Sequence, residues 1–302
     1  MTKYKFGACE YNFPVWGALA MEMAHEAGYD GIEITDGGGY LQPHPMNKGI
    51  FVECERFTPG LIRLDGYPLT DKIIQDEYMN ARAKTGIEIT GIYLYFLNHQ
   101  GFVSNDNETI QGKEALKTIK NAVIAASQMG IPLVTIPTKG MFGVAKNLYA
   151  FQKLEYAVKV AEEYGIKIAN SFDTSIKREL EIMELLSGKL LADFNTADPL
   201  VFARENPVDM INELGGKRIA QIKIKDLKKD REGFITQETS EAVSIGSGDT
   251  EWKECLEAAE KLGFEGYIIS DTPFNSNSLN VLGENYVSLA EKDLETLKKA
   301  FA

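Results

Sequence analysis

The strongest constraint on this chain is an alternation repeated along its length, in which short β-branched runs follow helical stretches that stop at glycine. Strand spacing occurs at Lys5 to Glu10, Gly31 to Thr35, Ile87 to Phe96, Leu133 to Pro137, Ile166 to Phe172, Leu190 to Asn195, Arg218 to Asp226 and Tyr267 to Asp271. Helical spacing occurs at Val15 to Ala27, Asp71 to Lys84, Asn107 to Met129, Leu148 to Tyr164, Ile176 to Leu186, Pro207 to Leu214, Trp252 to Leu262 and Leu289 to Ala300. Gly28, Gly86, Gly130, Gly165, Gly188 and Gly263 stand at helix-to-strand turns, where a left-handed residue ends a helix. Alternating βα units imply a parallel sheet with right-handed crossovers. Eight such units predict a closed TIM barrel, an α/β fold for which about 250 residues is usual. The chain of 302 residues is therefore expected to be one barrel domain. An open doubly wound sheet is the alternative, but no G-x-G-x-x-G follows the first strand. The stretch 36–69, rich in glycine, proline and isolated aromatics, is expected to be a long excursion after the second strand. A polar, hairpin-like insertion is expected at Lys228 to Val243.

Within Arg218 to Asp226, Gln221, Lys223 and Lys225 alternate with Ile219, Ile222 and Ile224. A period of two sends the polar set to one face, which in a barrel is the lumen. Lys223 is then expected at the mouth of a pocket.

The bulk composition narrows the partners. A net charge of −12 argues against nucleic acid and acidic membrane surfaces, since both are polyanions. The three cysteines, Cys9, Cys54 and Cys255, show no disulfide or zinc spacing. The start MTKYKFGACEYNF has no apolar leader segment, and no apolar run is long enough to span a bilayer. The expected setting is cytoplasmic.

Reacting groups of such barrels lie at the C-terminal ends of the strands. Those ends carry Glu10, Glu33, His99, Thr138 with Lys139, Ser171 with Asp173, Asn195 with Asp198, Lys223 with Asp226, and Asp271. Several have simpler readings. Asp173, Asp36 and Asp226 suit helix caps or turns, Lys139 and Lys228 suit solvated surface, and His25 and His44 suit helix and loop structure. For His99, loop packing and proton transfer weigh equally.

Three stretches resemble the sugar phosphate isomerase/epimerase group with the xylose isomerase-like TIM barrel. They are GYDGIEI at Gly28 to Ile34, IAQIKIKD in the seventh strand, and IGSGDTEW at Ile245 to Trp252 followed by GFEGYIISD at Gly263 to Asp271. The resemblance implies a carbohydrate ligand and a divalent metal held by two glutamates, an aspartate and a histidine. This chain departs from that set. The implied positions fall on Ser171, on Asn195 (in Asn195, Thr196, Ala197, Asp198), on Lys223 and on Asp271. A hard cation takes anionic oxygens or imidazoles, and an ammonium at short range repels it. The expectation is that the usual metal site is gone and that no cofactor is needed.

Three readings follow. In the first, Lys223, neighboured by Asp271 and Asp198, polarises a sugar carbonyl and stabilises an enediolate, while Glu33, Asp271 or His99 moves the proton. Ser171, Asn195, Asp198, Glu10 and Lys225 are then substrate-binding candidates. In a variant, burial lowers the Lys223 pKa and makes it a Schiff-base nucleophile. In the second, the barrel is a non-catalytic carbohydrate binder or the subunit of a larger complex. In the third, a metal binds through Glu33, Asp198 or Asp271 with loop residues such as His44. Lyase chemistry on a keto-sugar or glycoside shares the enolate of the first. The expected partner is a small sugar or sugar derivative, with a homo-oligomer or partner subunit compatible.

Overall fold

The computed structural model describes residues 4–35, 68–95, 97, 106–138, 147–236, 240–275 and 285–301. His44, Phe96, His99, Lys139 and Phe142 lie outside the described residues, as does the excursion except Pro68 and Leu69, which open a 3₁₀ turn (Pro68–Thr70).

Eight parallel strands close into a barrel: β1 (Phe6–Cys9), β2 (Gly31–Thr35), β3 (Glu88–Tyr93), β4 (Leu133–Pro137), β5 (Lys167–Ser171), β6 (Leu190–Asn195), β7 (Ile219–Ile224) and β10 (Tyr267–Ser270). Each pairs with its sequence neighbour, and β10 closes the ring onto β1. The insertion after β7 begins and ends as a two-stranded antiparallel ribbon, β8 (Asp226–Leu227) with β9 (Ala242–Val243). The described helices are α1 (Ala18–Glu26), α2 (Lys72–Thr85), α3 (Ile110–Met129), α4 (Leu148–Tyr164), α5 (Ile176–Leu185), α6 (Pro207–Leu214), α7 (Trp252–Lys261) and α8 (Tyr286–Lys299). None is long and apolar enough to cross a membrane.

Local chemistry sets the helix ends. Asp71, Thr109, Asn147, Ser175, Asn206 and Asn285 each accept a first-turn backbone N–H, a cap that contributes about 1 kcal/mol. At the other end Gly130 and Gly165 adopt φ of 66° and 69°, which costs glycine little.

The outward strand residues Ile32, Ile34, Ile89, Val134, Ile136, Ile168, Ile222, Ile224 and Ile268 join one apolar cluster with helix residues such as Ala122, Val123, Leu154, Ala157 and Leu256. Burial of that layer is the main stabilising term. The lumen is different: deep in it Ile269 packs so close to Gly7 that a Cβ there would lie 2.6 Å from Ile269 Cδ1. Above this, inward positions are polar, so the sequence buries charge at the barrel axis.

Candidate functional site

Register brings the lumen groups together. Asp193 is level with Gln221, Asn195 with Lys223, and Glu33 with Cys9, the last residue of β1. Lys223 Nζ lies 2.6 Å from Glu33 Oε2 and 2.8 Å from Asp193 Oδ2. Both contacts are buried ion pairs between one ammonium and two carboxylates. Gln221 Nε2 donates to Glu33 Oε1 at 2.5 Å and to Asp193 Oδ1 at 3.0 Å, tying the two carboxylates together. The Thr135 hydroxyl donates to Glu33 at 3.3 Å and the Cys9 thiol approaches it at 3.8 Å. The Tyr93 ring lies 4.1 Å from the ammonium and the Tyr11 ring 5.9 Å, within cation–π range.

Lys223 is thus not at an open mouth: its side chain is 2% exposed. Its partners are Glu33 and Asp193, where the sequence pointed to Asp271 and Asp198. Burial disfavours the ammonium, but Asp193 and Glu33 together outweigh it and hold its pKa well above that of an ordinary lysine. This is opposite to the lowering that the Schiff-base variant requires. Glu33 is pushed up to about 7, chiefly by burial, with Lys223 pulling it back and Asp193 pushing it further. Burial also drives the Cys9 thiol and the Tyr11 hydroxyl well above their usual ranges.

A second polar group sits beside this triad. Asp271, just past β10, accepts the Tyr11 hydroxyl at 2.9 Å and Asn12 Nδ2 at 3.0 Å on one oxygen, and Asn195 Nδ2 at 2.8 Å on the other. Asn195 Oδ1 in turn accepts the Ala197 and Asp198 N–H groups. Tyr11 therefore joins the groups: its ring faces Lys223 and its hydroxyl bonds Asp271. Tyr11, Tyr93 and Tyr95 form an aromatic cluster here, with Tyr95 exposed.

The other expected site residues are placed as follows. Ser171 ends β5, buried, with its carbonyl accepting Thr138 N–H at 2.8 Å. Asp198 is buried beyond β6. Lys225 is half-buried just past β7, its backbone bonded to Thr196 and Thr250. Glu10 is not in a strand but in a 3₁₀ turn, where it accepts Gly17 N–H, Thr35 N–H, the Thr35 hydroxyl and the Tyr78 hydroxyl. That set ties the β1 loop to β2 and α2. Asp226 is a loop anchor, accepting N–H groups of Gly246, Gly248 and Thr250 and the Thr250 hydroxyl. Asp193 was not among the expected residues, although LLADFN places it two positions before Asn195 and hence on the same strand face.

The four positions implied for a metal do not fit one. Lys223 puts a cation there, Asn195 is committed at both ends, and Asp271 already receives three donors. Among the described residues no group of three or more His, Cys, Asp and Glu is arranged to hold a metal. The arrangement instead offers a fixed positive charge, a carboxyl that titrates near neutrality and a second carboxylate, all at the C-terminal half of the barrel.

Known proteins agree with this architecture. The IOLI protein with a zinc atom superposes with a TM-score of 0.69 at 17% identity, covering 99% of each chain. The 3-keto-D-glucoside 4-epimerase YcjR of E. coli gives 0.65 at 14%, covering 98% of this chain and 99% of that one. The D-allulose 3-epimerase of Methylomonas sp. with D-allulose bound gives 0.67 at 12%, covering 100% and 98%. At such identities the likeness concerns the fold. No curated protein matches the chain. The family profile described as xylose isomerase-like TIM barrel matches residues 21–300, and the chain belongs to that family.

Proposed function

We propose that this barrel is a sugar isomerase- or epimerase-like protein acting on a ketose or keto-sugar through an enediolate, with the Lys223 ammonium supplying the positive charge at the reacting carbonyl. The observation that carries this reading is the Lys223–Glu33 pair, closed at 2.6 Å inside the lumen, where burial raises the Glu33 carboxyl above the usual range. Carboxyls shifted toward neutrality beside a cation are characteristic of proton-transfer sites. Ionised Glu33 takes the proton from the carbon next to the carbonyl. The C–H electron pair becomes the C=C bond and the carbonyl pair moves to oxygen, where the ammonium stabilises it. Return of the proton to the first carbon on its other face gives an epimer; return to the former carbonyl carbon, with the hydroxyl proton of the first carbon passing to the former carbonyl oxygen, gives an isomer. Asp271 or His99 is the second acid that an epimerisation needs. Ser171 and Asp198 are the candidates for sugar hydroxyls in this reading, whereas Asn195 is spent on Asp271 and the turn after β6, and Glu10 and Lys225 act on the loops. The low-identity neighbours named for a keto-glucoside and D-allulose are consistent with this substrate class.

The test is solvent exchange. Protein in D₂O is incubated with D-allulose, D-tagatose and a 3-keto-glucoside, and proton NMR follows loss of the α-hydrogen and the appearance of new sugars. Lys223→Ala and Glu33→Gln are each expected to slow exchange by about 10²-fold or more. Unchanged exchange in Lys223→Ala removes the lysine from the mechanism, loss of exchange on adding EDTA restores a metal, and an unsaturated product indicates a lyase.

One observation favours a second reading: Lys223, Glu33 and Asp193 are sealed from solvent. A closed ion triad suits a carbohydrate-binding relative, or the subunit of a larger enzyme, whose lumen charges only stiffen the barrel. Binding of the same sugars without exchange would support it.

A further inference from the structure

Three tyrosines meet at the C-terminal end of the barrel, and they are not equally covered. Tyr93 ends β3 and is 7% exposed, whereas Tyr95, two residues on, is 44% exposed. Their ring centroids lie 5.5 Å apart for Tyr11 and Tyr95, 5.6 Å for Tyr11 and Tyr93, and 6.3 Å for Tyr93 and Tyr95, all tilted. Spacings of this kind are favourable between aromatic rings, so each ring is braced by the other two. Two of the three are also tied from elsewhere. Tyr11 donates its hydroxyl to Asp271 at 2.9 Å, and the Tyr93 ring lies 4.1 Å from the Lys223 ammonium. The turn carrying Tyr95 is closed by its own N–H on the Tyr93 carbonyl at 2.9 Å and by Leu97 N–H on the Leu94 carbonyl at 3.1 Å. A lone exposed aromatic on a surface needs no explanation. Tyr95 is instead the solvent-facing member of a braced trio, and a ring fixed beforehand loses little freedom when a ligand lies on it.

The surroundings say which ligand fits. Beside the rings stand Asn12, Asn195 and Asp271, joined by hydrogen bonds. An apolar surface bordered by a few fixed polar groups suits a molecule with an apolar face and a polar edge. A closed pyranose is such a molecule, because its axial C–H bonds share a face and its hydroxyls point outward. An open-chain polyol has no lasting apolar face. Charge narrows the class further. At this end of the barrel Glu33, Asp193, Asp198 and Asp271 outnumber Lys223 and Lys225, a field that disfavours an anionic ligand such as a sugar phosphate.

We infer that Tyr95 is the stacking platform of a subsite for an uncharged, ring-closed pyranoside. The ligand is then a glycoside or keto-glycoside rather than an open-chain ketose or a phosphorylated sugar. Reaction of a keto-glycoside there rests on the enediolate reading above; recognition of the ring does not.

The experiment titrates methyl β-D-glucopyranoside, D-glucitol and D-glucose 6-phosphate into the unaltered protein, with saturation-transfer NMR from the aromatic protons. None of the three carries a ketone, so binding is read without turnover. The glucoside is expected to bind, with transfer concentrated on the axial hydrogens of one face, and the other two to bind about 10-fold more weakly or less. Tyr95→Ala should weaken glucoside binding by about 10-fold and Tyr95→Phe by less than about 2-fold, both with the circular dichroism of the unaltered protein. No binding of the glucoside, equal binding of all three ligands, even transfer over both faces, or unchanged affinity in Tyr95→Ala overturns the inference. The first three are read on the unaltered protein, so misfolding of a variant does not protect the idea. Glucoside binding that depends on Tyr95, without α-hydrogen exchange in a 3-keto-glucoside, leaves the subsite standing and sinks the enediolate reading. Exchange in D-allulose that Tyr95→Ala does not slow leaves the enediolate reading and sinks the subsite.

Discussion

Glu33 in β2 and Asp226 at the start of β8 are both buried carboxylates, yet they are held in opposite ways. Asp226 receives three backbone N–H groups and one hydroxyl from the segment 246–250. Its donors are neutral, directional and all from one loop, so the carboxylate organises that loop. Gly248 is needed for this approach, since a Cβ there would lie 2.3 Å from Asp226 Oδ1. Glu33 instead shares one ammonium with a second carboxylate. Its donors come from β1, β4 and β7, and its charge is not fully balanced. The difference teaches that burial alone does not mark a functional acid. What sets Glu33 apart is a second buried carboxylate, Asp193, that shares its one ammonium.

The largest effect expected on this comparison comes from Lys223→Met. Removing the only cation of the triad leaves Glu33 and Asp193 buried against each other, and breaking such a pair costs about 3–5 kcal/mol. Urea unfolding should show it; a loss under about 1 kcal/mol would mean that the triad is not held by charge. Asp226→Asn is expected to cost less, about 2–3 kcal/mol, because an amide NH₂ turned toward Gly246 and Gly248 leaves backbone donors unmet. The loss should be accompanied by faster hydrogen exchange at Gly246, Gly248 and Thr250. Equal protection in both proteins would show that the loop holds itself.

How legible these two sites were from sequence follows from their geometry. Strand periodicity located β2, β4 and β6 at their observed bounds, because apolar residues facing the helices alternate with polar ones facing the lumen. The ends of β1 and β10 were drawn too long at Glu10 and Asp271, since side-chain type does not say where a ladder stops pairing. Lys223 was legible as a lumen residue by its alternation with Ile222 and Ile224. Its state was not: burial could be foreseen, but the number of carboxylates around it depends on strands β2 and β6, and with it the sign of the pKa shift. Asp193 was readable two positions before Asn195. Tyr11 and Asn12 were not readable as partners of Asp271, because they reach it across 260 and 259 residues through a 3₁₀ turn.

The smallest effect is the most selective test of the comparison. Glu33 titrates at about 7 in the folded protein, above the roughly 4.3 of a free glutamate. Between those values the folded state binds more protons than the unfolded one, so this group's contribution to stability is present below about pH 4 and is lost as pH rises through 7. Glu33→Gln removes that slope. Glu179, pushed by burial to about 8, and Asp293, pushed by burial to about 7, slope in the same direction, but both remain in the variant and cancel in the difference. Urea midpoints measured from pH 5 to pH 8 should therefore fall more steeply in the unaltered protein than in Glu33→Gln, by about 1–2 kcal/mol over the interval after allowing for the coupling to Lys223. Parallel pH dependences would mean that burial beside Lys223 and Asp193 does not raise the Glu33 carboxyl, and the contrast with Asp226 would then be one of position only.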